Sequence, residues 1–94
     1  MGRSVMWNDL KPTEEMLVVL MEECGEVIKT ASKIIRFGED AKNVEELNRE
    51  LGDLQCMIDL LHEMDLVSYT AIDEASVEKR EKLKKWTEFA KDWE

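Results

Sequence analysis

The sequence predicts an all-α fold, a helical bundle of about three main helices per chain completed by oligomerisation, and three observations carry that prediction. The composition is 44% hydrophobic and 37% charged with a single proline and four glycines, too apolar for disorder and too poor in turn residues for many short strands. Apolar residues recur at helical steps of three and four along most of the chain. Finally, 94 residues can bury only a modest core, which limits the chain to one domain over residues 1–94 and favours partner subunits.

The elements follow in order. Residues 1–12 form an irregular leader that carries Trp7 and ends at Pro12, the only proline. Thr13 is the expected N-cap of a first helix opened by Glu14 and Glu15. That helix runs to about Arg36, and Phe37-Gly38-Glu39-Asp40 breaks it. Asn43 with Glu46 three residues on resembles a capping box for a second helix reaching about Met64. Leu47, Leu51, Leu54, Ile58 and Leu61 alternate by four and three along it, the narrow stripe that packs against partner helices. Residues 65–70 read as a connection. A third helix is expected from Ala71 to Trp93, with Ile72, Ala75, Leu83, Trp86, Ala90 and Trp93 on one side.

Charge narrows the function. With 22 acidic against 13 basic residues and a net charge of -9, the surface repels phosphate backbones and anionic lipid, which argues against nucleic-acid and membrane partners. The longest apolar run, Met16 to Met21, is far shorter than the ~20 residues that span a bilayer. A cytoplasmic protein is the expectation. Cys24, Cys56 and the lone His62 are too few for a zinc site or a disulfide framework.

Helical wheels sort the acids. With Leu47 as zero, Glu50 falls at about 300° and Asp53 at about 240°, in the sector of Met57, Leu60 and Met64. With Leu20 as zero, Glu23 falls at about 300° and Glu26 at about 240°, alongside Val19 and Phe37. Each helix therefore carries an acid pair on the shoulder of an apolar stripe, and antiparallel packing would bring the pairs together. Buried anions must protonate, find cations or bind a hard metal. An all-oxygen set points to Mg²⁺, with Mn²⁺ as a substitute, rather than zinc or copper. Glu22 lies nearer the polar side.

Written linearly, these acids are Glu22-Glu23-Cys24-Gly25-Glu26 and, after a spacer, Glu50-Leu51-Gly52-Asp53. The arrangement resembles the E-E-x-x-E and E-x-x-D signature of the MazG-like family of all-α nucleoside triphosphate pyrophosphohydrolases, and Gly25 and Gly52 also look like that family. The resemblance covers roughly residues 13–64. It implies a homodimer or homotetramer that converts a nucleoside triphosphate to the monophosphate and pyrophosphate with Mg²⁺, in nucleotide-pool control or housecleaning. Carried over, Glu23, Glu26, Glu50 and Asp53 would hold the metal, and Glu22 and Glu23 would serve catalysis, Glu22 by orienting or deprotonating water. A substrate such as dUTP or an alarmone is equally compatible. The rival reading is a non-catalytic helical oligomerisation or regulatory module with a structural acidic metal site.

Basic and aromatic residues supply the candidate substrate contacts. Lys79 falls inside the apolar stripe of the third helix, where it must snorkel or meet an anion. Lys33 and Arg36 end the first helix, where cations also complement the helix dipole. Lys82 is a further phosphate candidate, and Trp7 is the aromatic nearest the motifs for base stacking, although core packing would also explain it. Cys24 reads as a small core residue.

Overall fold

The computed structural model describes residues 9–94, and the described residues form three helices: α1 (Pro12–Phe37), α2 (Ala41–Glu63) and α3 (Tyr69–Trp86). Trp7 lies outside the described residues. The all-α architecture therefore stands, while several boundaries differ from those expected.

The cap of α1 is Lys11, not Thr13. Pro12 takes the first helical position, where its missing N–H is no loss, and the Glu14 carboxylate accepts the Lys11 N–H at 2.9 Å. At the other end Gly38 adopts φ 105° and ψ 167°, a conformation open essentially only to glycine. The cap of α2 is Asp40, whose Oδ1 accepts from the Asn43 N–H at 2.9 Å. Asn43 instead ties the turn down, donating through Nδ2 to the Gly38 carbonyl at 3.1 Å. Ser68 caps α3 by accepting from the Ala71 N–H at 3.3 Å, so this helix starts before Ala71.

α3 stops at Trp86 rather than Trp93. Thr87 causes the difference: its hydroxyl donates to the Leu83 carbonyl at 2.9 Å and accepts from the Ala90 N–H at 3.1 Å, substituting side-chain bonds for helical ones. Residues 87–94 then fold back. Ala90 is fully buried, Phe89 and Trp93 meet edge to face at 5.5 Å, and the Arg80 guanidinium sits 4.5 Å from the Trp93 ring centre. Trp86, expected in the packed stripe, is 80% exposed.

α1 and α2 form the packed unit, joined by the short turn at 38–40, which makes them antiparallel neighbours. Along α1 the buried and half-buried residues Met16, Leu20, Glu23, Val27, Thr30 and Ile34 recur at steps of four and three, and along α2 so do Asn43, Leu47, Glu50, Leu54, Met57 and Leu61. This is a heptad seam on each helix. The seam of α2 is rotated from the leucine stripe read in the sequence, so that Leu51 is left exposed and Met57 is buried. α1 has a second apolar row, Leu17, Met21, Cys24, Ile28, Ala31 and Ile35, and all six are exposed. Cys24 is thus not the core residue expected, because it stands about 100° around the helix from the seam position Glu23.

α3 contributes no buried residue. It is anchored at its start by Tyr69, whose ring stacks on His62 at 3.9 Å and whose hydroxyl donates to the Asp59 carboxylate. The radius of gyration is 16.6 Å, against about 12 Å for a compact chain of this length. No helix among the described residues is long and apolar enough to cross a membrane.

Candidate functional site

The two seams carry an anomaly. Glu23 and Glu50 occupy positions that the four-and-three spacing reserves for apolar residues. Each is half-buried. Carboxylate oxygens of Glu23, Glu50 and Asp53 lie within 4.8 Å of one another, with Asp53 on the exposed edge. Burial pushes the Glu23 carboxyl above the usual range for a glutamate, and the negative charges of Asp53, Glu50, Glu26 and Glu22 push it the same way. The cluster thus carries self-repulsion that a cation would relieve.

Three of the four acids singled out as metal ligands therefore meet across the α1–α2 seam. Glu26 is exposed and outside the group of three, although close enough for its charge to act on Glu23. Glu22 is exposed one position before Glu23, turned about 100° from it. Gly25 and Gly52 have open space where a side chain would stand, so no close approach within the chain requires them.

The set fits a small hard cation. Ligand oxygens around Mg²⁺ lie at most about 4.2 Å apart, so modest side-chain rotation closes three oxygens already within 4.8 Å. Remaining coordination positions around such an ion would be open to Glu26 and water.

Basic candidates are placed less favourably. The Lys33 ammonium is held by the Glu46 carboxylate at 2.9 and 3.2 Å, and this hydrogen bond draws the Glu46 carboxyl below its ordinary range. Arg36 donates weakly to the Ser32 carbonyl at 3.4 Å and lies over Phe37, 5.0 Å from its ring centre. Lys79 and Lys82 are exposed on α3. The apolar stripe that was to enclose Lys79 does not form a packed face, since no residue of α3 is fully buried and only Ile72 and Leu83 of that stripe on α3 are half-buried.

Sequence reasoning missed two features. Glu46 was read as a capping residue, but it stands one heptad before Asp53 and there meets Lys33, itself one heptad after Glu26. Thr30 was not singled out, yet it is 1% exposed and its hydroxyl has no hydrogen-bond partner. Its place between Val27 and Ile34 in the four-and-three spacing is the signal that marks it as a seam residue. No family model, curated protein or solved structure matches this chain.

Proposed function

We propose that this protein is a Mg²⁺-dependent nucleoside triphosphate pyrophosphohydrolase of the MazG-like kind, releasing pyrophosphate and a nucleoside monophosphate and working as a homodimer or homotetramer. The observation that carries the reading is the meeting of Glu23, Glu50 and Asp53 oxygens within 4.8 Å, drawn from two helices at motif positions. In this reading Glu23, Glu50 and Asp53 hold the ion, with Glu26 closing on it from the next turn. When bound, the ion supplies Lewis-acid polarisation of phosphate oxygens and lowers the pKa of a coordinated water. Glu22, exposed beside the cluster, accepts a proton from the attacking water. The half-buried setting of Glu23 and Glu50 weakens screening by solvent and so strengthens their hold on a cation. Lys33, Lys79 and Lys82 are the proposed phosphate contacts, with Lys33 exchanging Glu46 for substrate. Base and ribose preference, including dUTP or an alarmone as substrate, is decided by a product-resolved screen.

The test is pyrophosphate release from a panel of standard, deoxy and damaged nucleoside triphosphates with Mg²⁺. Glu23→Gln and Asp53→Asn should abolish release while far-UV circular dichroism stays unchanged. No release from any substrate, or full activity in both variants, removes the proposal.

One observation favours a second reading, a non-catalytic helical module with a structural metal site. Lys79 and Lys82 on α3 are exposed, and Lys33 is already engaged with Glu46. Calorimetry separates the two: the module binds Mg²⁺ without nucleotide, whereas the enzyme shows nucleotide affinity that depends on Mg²⁺.

A further inference from the structure

The net charge of -9 is unevenly placed. Five of the 13 basic residues, Lys79, Arg80, Lys82, Lys84 and Lys85, stand within seven positions near the end of α3, and Glu81 is the only acid among them. α3 does not pack along α1 or α2, and residues 73–82 are exposed without a break. The cluster begins ten residues after Tyr69, where α3 is anchored on α2, or about 15 Å along the helix. At physiological salt, charges more than about 8 Å apart are largely screened. A surface approaching the end of α3 therefore meets a cationic patch, although the chain as a whole is acidic.

The cations divide between two sides of the helix. With Trp86 as zero, Arg80 falls at about 120° and Lys84 at about 160°. There Arg80 lies over the Trp93 ring and Lys84 pairs with Glu81 at 3.0 Å. Lys79 falls at about 20°, Lys82 at about 320° and Lys85 at about 260°, all three exposed and in no ion pair among the described residues. Glu78, at about 280°, is the one acid within that arc. Trp86 stands among these lysines with 80% of its surface exposed, and Phe89, just beyond the helix, is 84% exposed.

We infer that this lysine row docks the protein on a bilayer surface rich in anionic lipid, the lysines meeting headgroups while Trp86 and Phe89 enter the interface. Clusters of four or more cations on an exposed helix attract anionic lipid, and aromatic rings settle at headgroup depth. One short row makes the attachment peripheral and reversible. Nucleic acid fits less well. Single strands follow a cationic groove, whereas the row lies on the convex face of a helix. The groove at this end, about 480 Å³, is on the other side, lined by Val77, Arg80, Lys84 and Trp93. The phosphates of a duplex would take the lysines but leave the rings of Trp86 and Phe89 in water. Lys79 and Lys82 are also proposed phosphate contacts of the nucleotide, so the test rests on Lys85 and Trp86, which have no part in that chemistry.

The test floats the full chain with vesicles of phosphatidylcholine alone or mixed with phosphatidylglycerol. Binding to the mixed vesicles should be at least about tenfold stronger, should weaken in high salt and should shift tryptophan emission to the blue. Each cation near an anionic surface contributes about fivefold in affinity, so Lys85→Gln should weaken binding by about that factor. Trp86→Ser should weaken it roughly tenfold and reduce the blue shift. Both positions are exposed, and far-UV circular dichroism checks that helicity is kept. If Trp86→Ser loses helicity, the two vesicle compositions and Lys85→Gln decide. No binding to the mixed vesicles, equal binding to both compositions, or wild-type binding by Lys85→Gln overturns the inference. So does capture by a single-stranded or duplex oligonucleotide without binding to vesicles.

Discussion

Replacing Thr30 by valine should stabilise this protein, although most substitutions at a site only 1% exposed do the reverse. The Thr30 hydroxyl is buried in the α1–α2 seam with no hydrogen-bond partner. An unpartnered buried hydroxyl costs about 1–3 kcal/mol in measured proteins. Valine is nearly isosteric, has similar helix propensity, and turns the polar atom into a methyl group whose burial contributes roughly another 0.8 kcal/mol. With imperfect relaxation around the new methyl, a net gain of about 1–3 kcal/mol follows. In a chain of this length each kcal/mol moves the thermal midpoint by about 4–8 °C. Urea and thermal unfolding at one fixed protein concentration provide the assay, because association also contributes to apparent stability. Thr30→Ser is the control: it keeps the hydroxyl, loses the methyl and should unfold earlier than the parent by about 1 kcal/mol. A Thr30→Val protein less stable than the parent would show that the hydroxyl has a partner, and the reasoning would fail.

Tyr69 is the only tyrosine, so tyrosinate absorbance reports it alone. The hydrogen bond to Asp59 pushes its phenol up to about 12 from the ordinary 10.0, and Asp59→Asn should return the midpoint toward 10.0. Because the folded value is the raised one, the stability this contact supplies is complete below the ordinary value and is lost as pH rises through the folded one. An unchanged midpoint in Asp59→Asn would contradict the anchoring of α3 on α2. For Glu46 the sign is opposite. Its carboxyl is held low by Lys33, so the stability of that pair is present above the ordinary value of 4.5 and is lost as pH falls through the depressed folded value. Lys33→Met should therefore flatten the fall in urea midpoint between about pH 6 and pH 3, and equal slopes in the two proteins would count against the pair.

Local chemistry made most of the fold readable. Apolar steps of three and four located α1 and α2, and Gly38 marked the turn between them. Caps were harder to place: at α2, Asn43 and Asp40 belong to the same capping class and only the backbone path chooses between them, while at α1 Pro12 takes the first helical position and leaves Lys11, outside that class, as the cap. Thr87 was invisible for a related reason: a β-branched residue inside an apolar pattern ends a helix only when its hydroxyl finds the Leu83 carbonyl. The acid pairs were readable as a rotation relative to the leucine stripe. What the wheel could not supply was the true packing direction. On α2 the seam runs through Asn43, Glu50 and Met57, with Leu51 and Ile58 of the expected stripe outside it, and this puts Glu50 inside the seam.

That rotation also explains why one short helix pair presents two unlike faces. A helix with a single apolar stripe turns that stripe to its neighbour and leaves the rest to water. α1 and α2 instead carry two rows one position apart, and packing between them consumes only the row that contains Glu23 and Glu50. Turning the outer rows inward would bury more hydrocarbon along α1 and leave the carboxylates hydrated, although on α2 it would also bring in Asn48 and Gln55, so burial within a single chain does not by itself favour the observed rotation. A cation at the carboxylates would offset their desolvation and mutual repulsion. The acid cluster and the exposed outer rows are thus two consequences of one choice of packing direction.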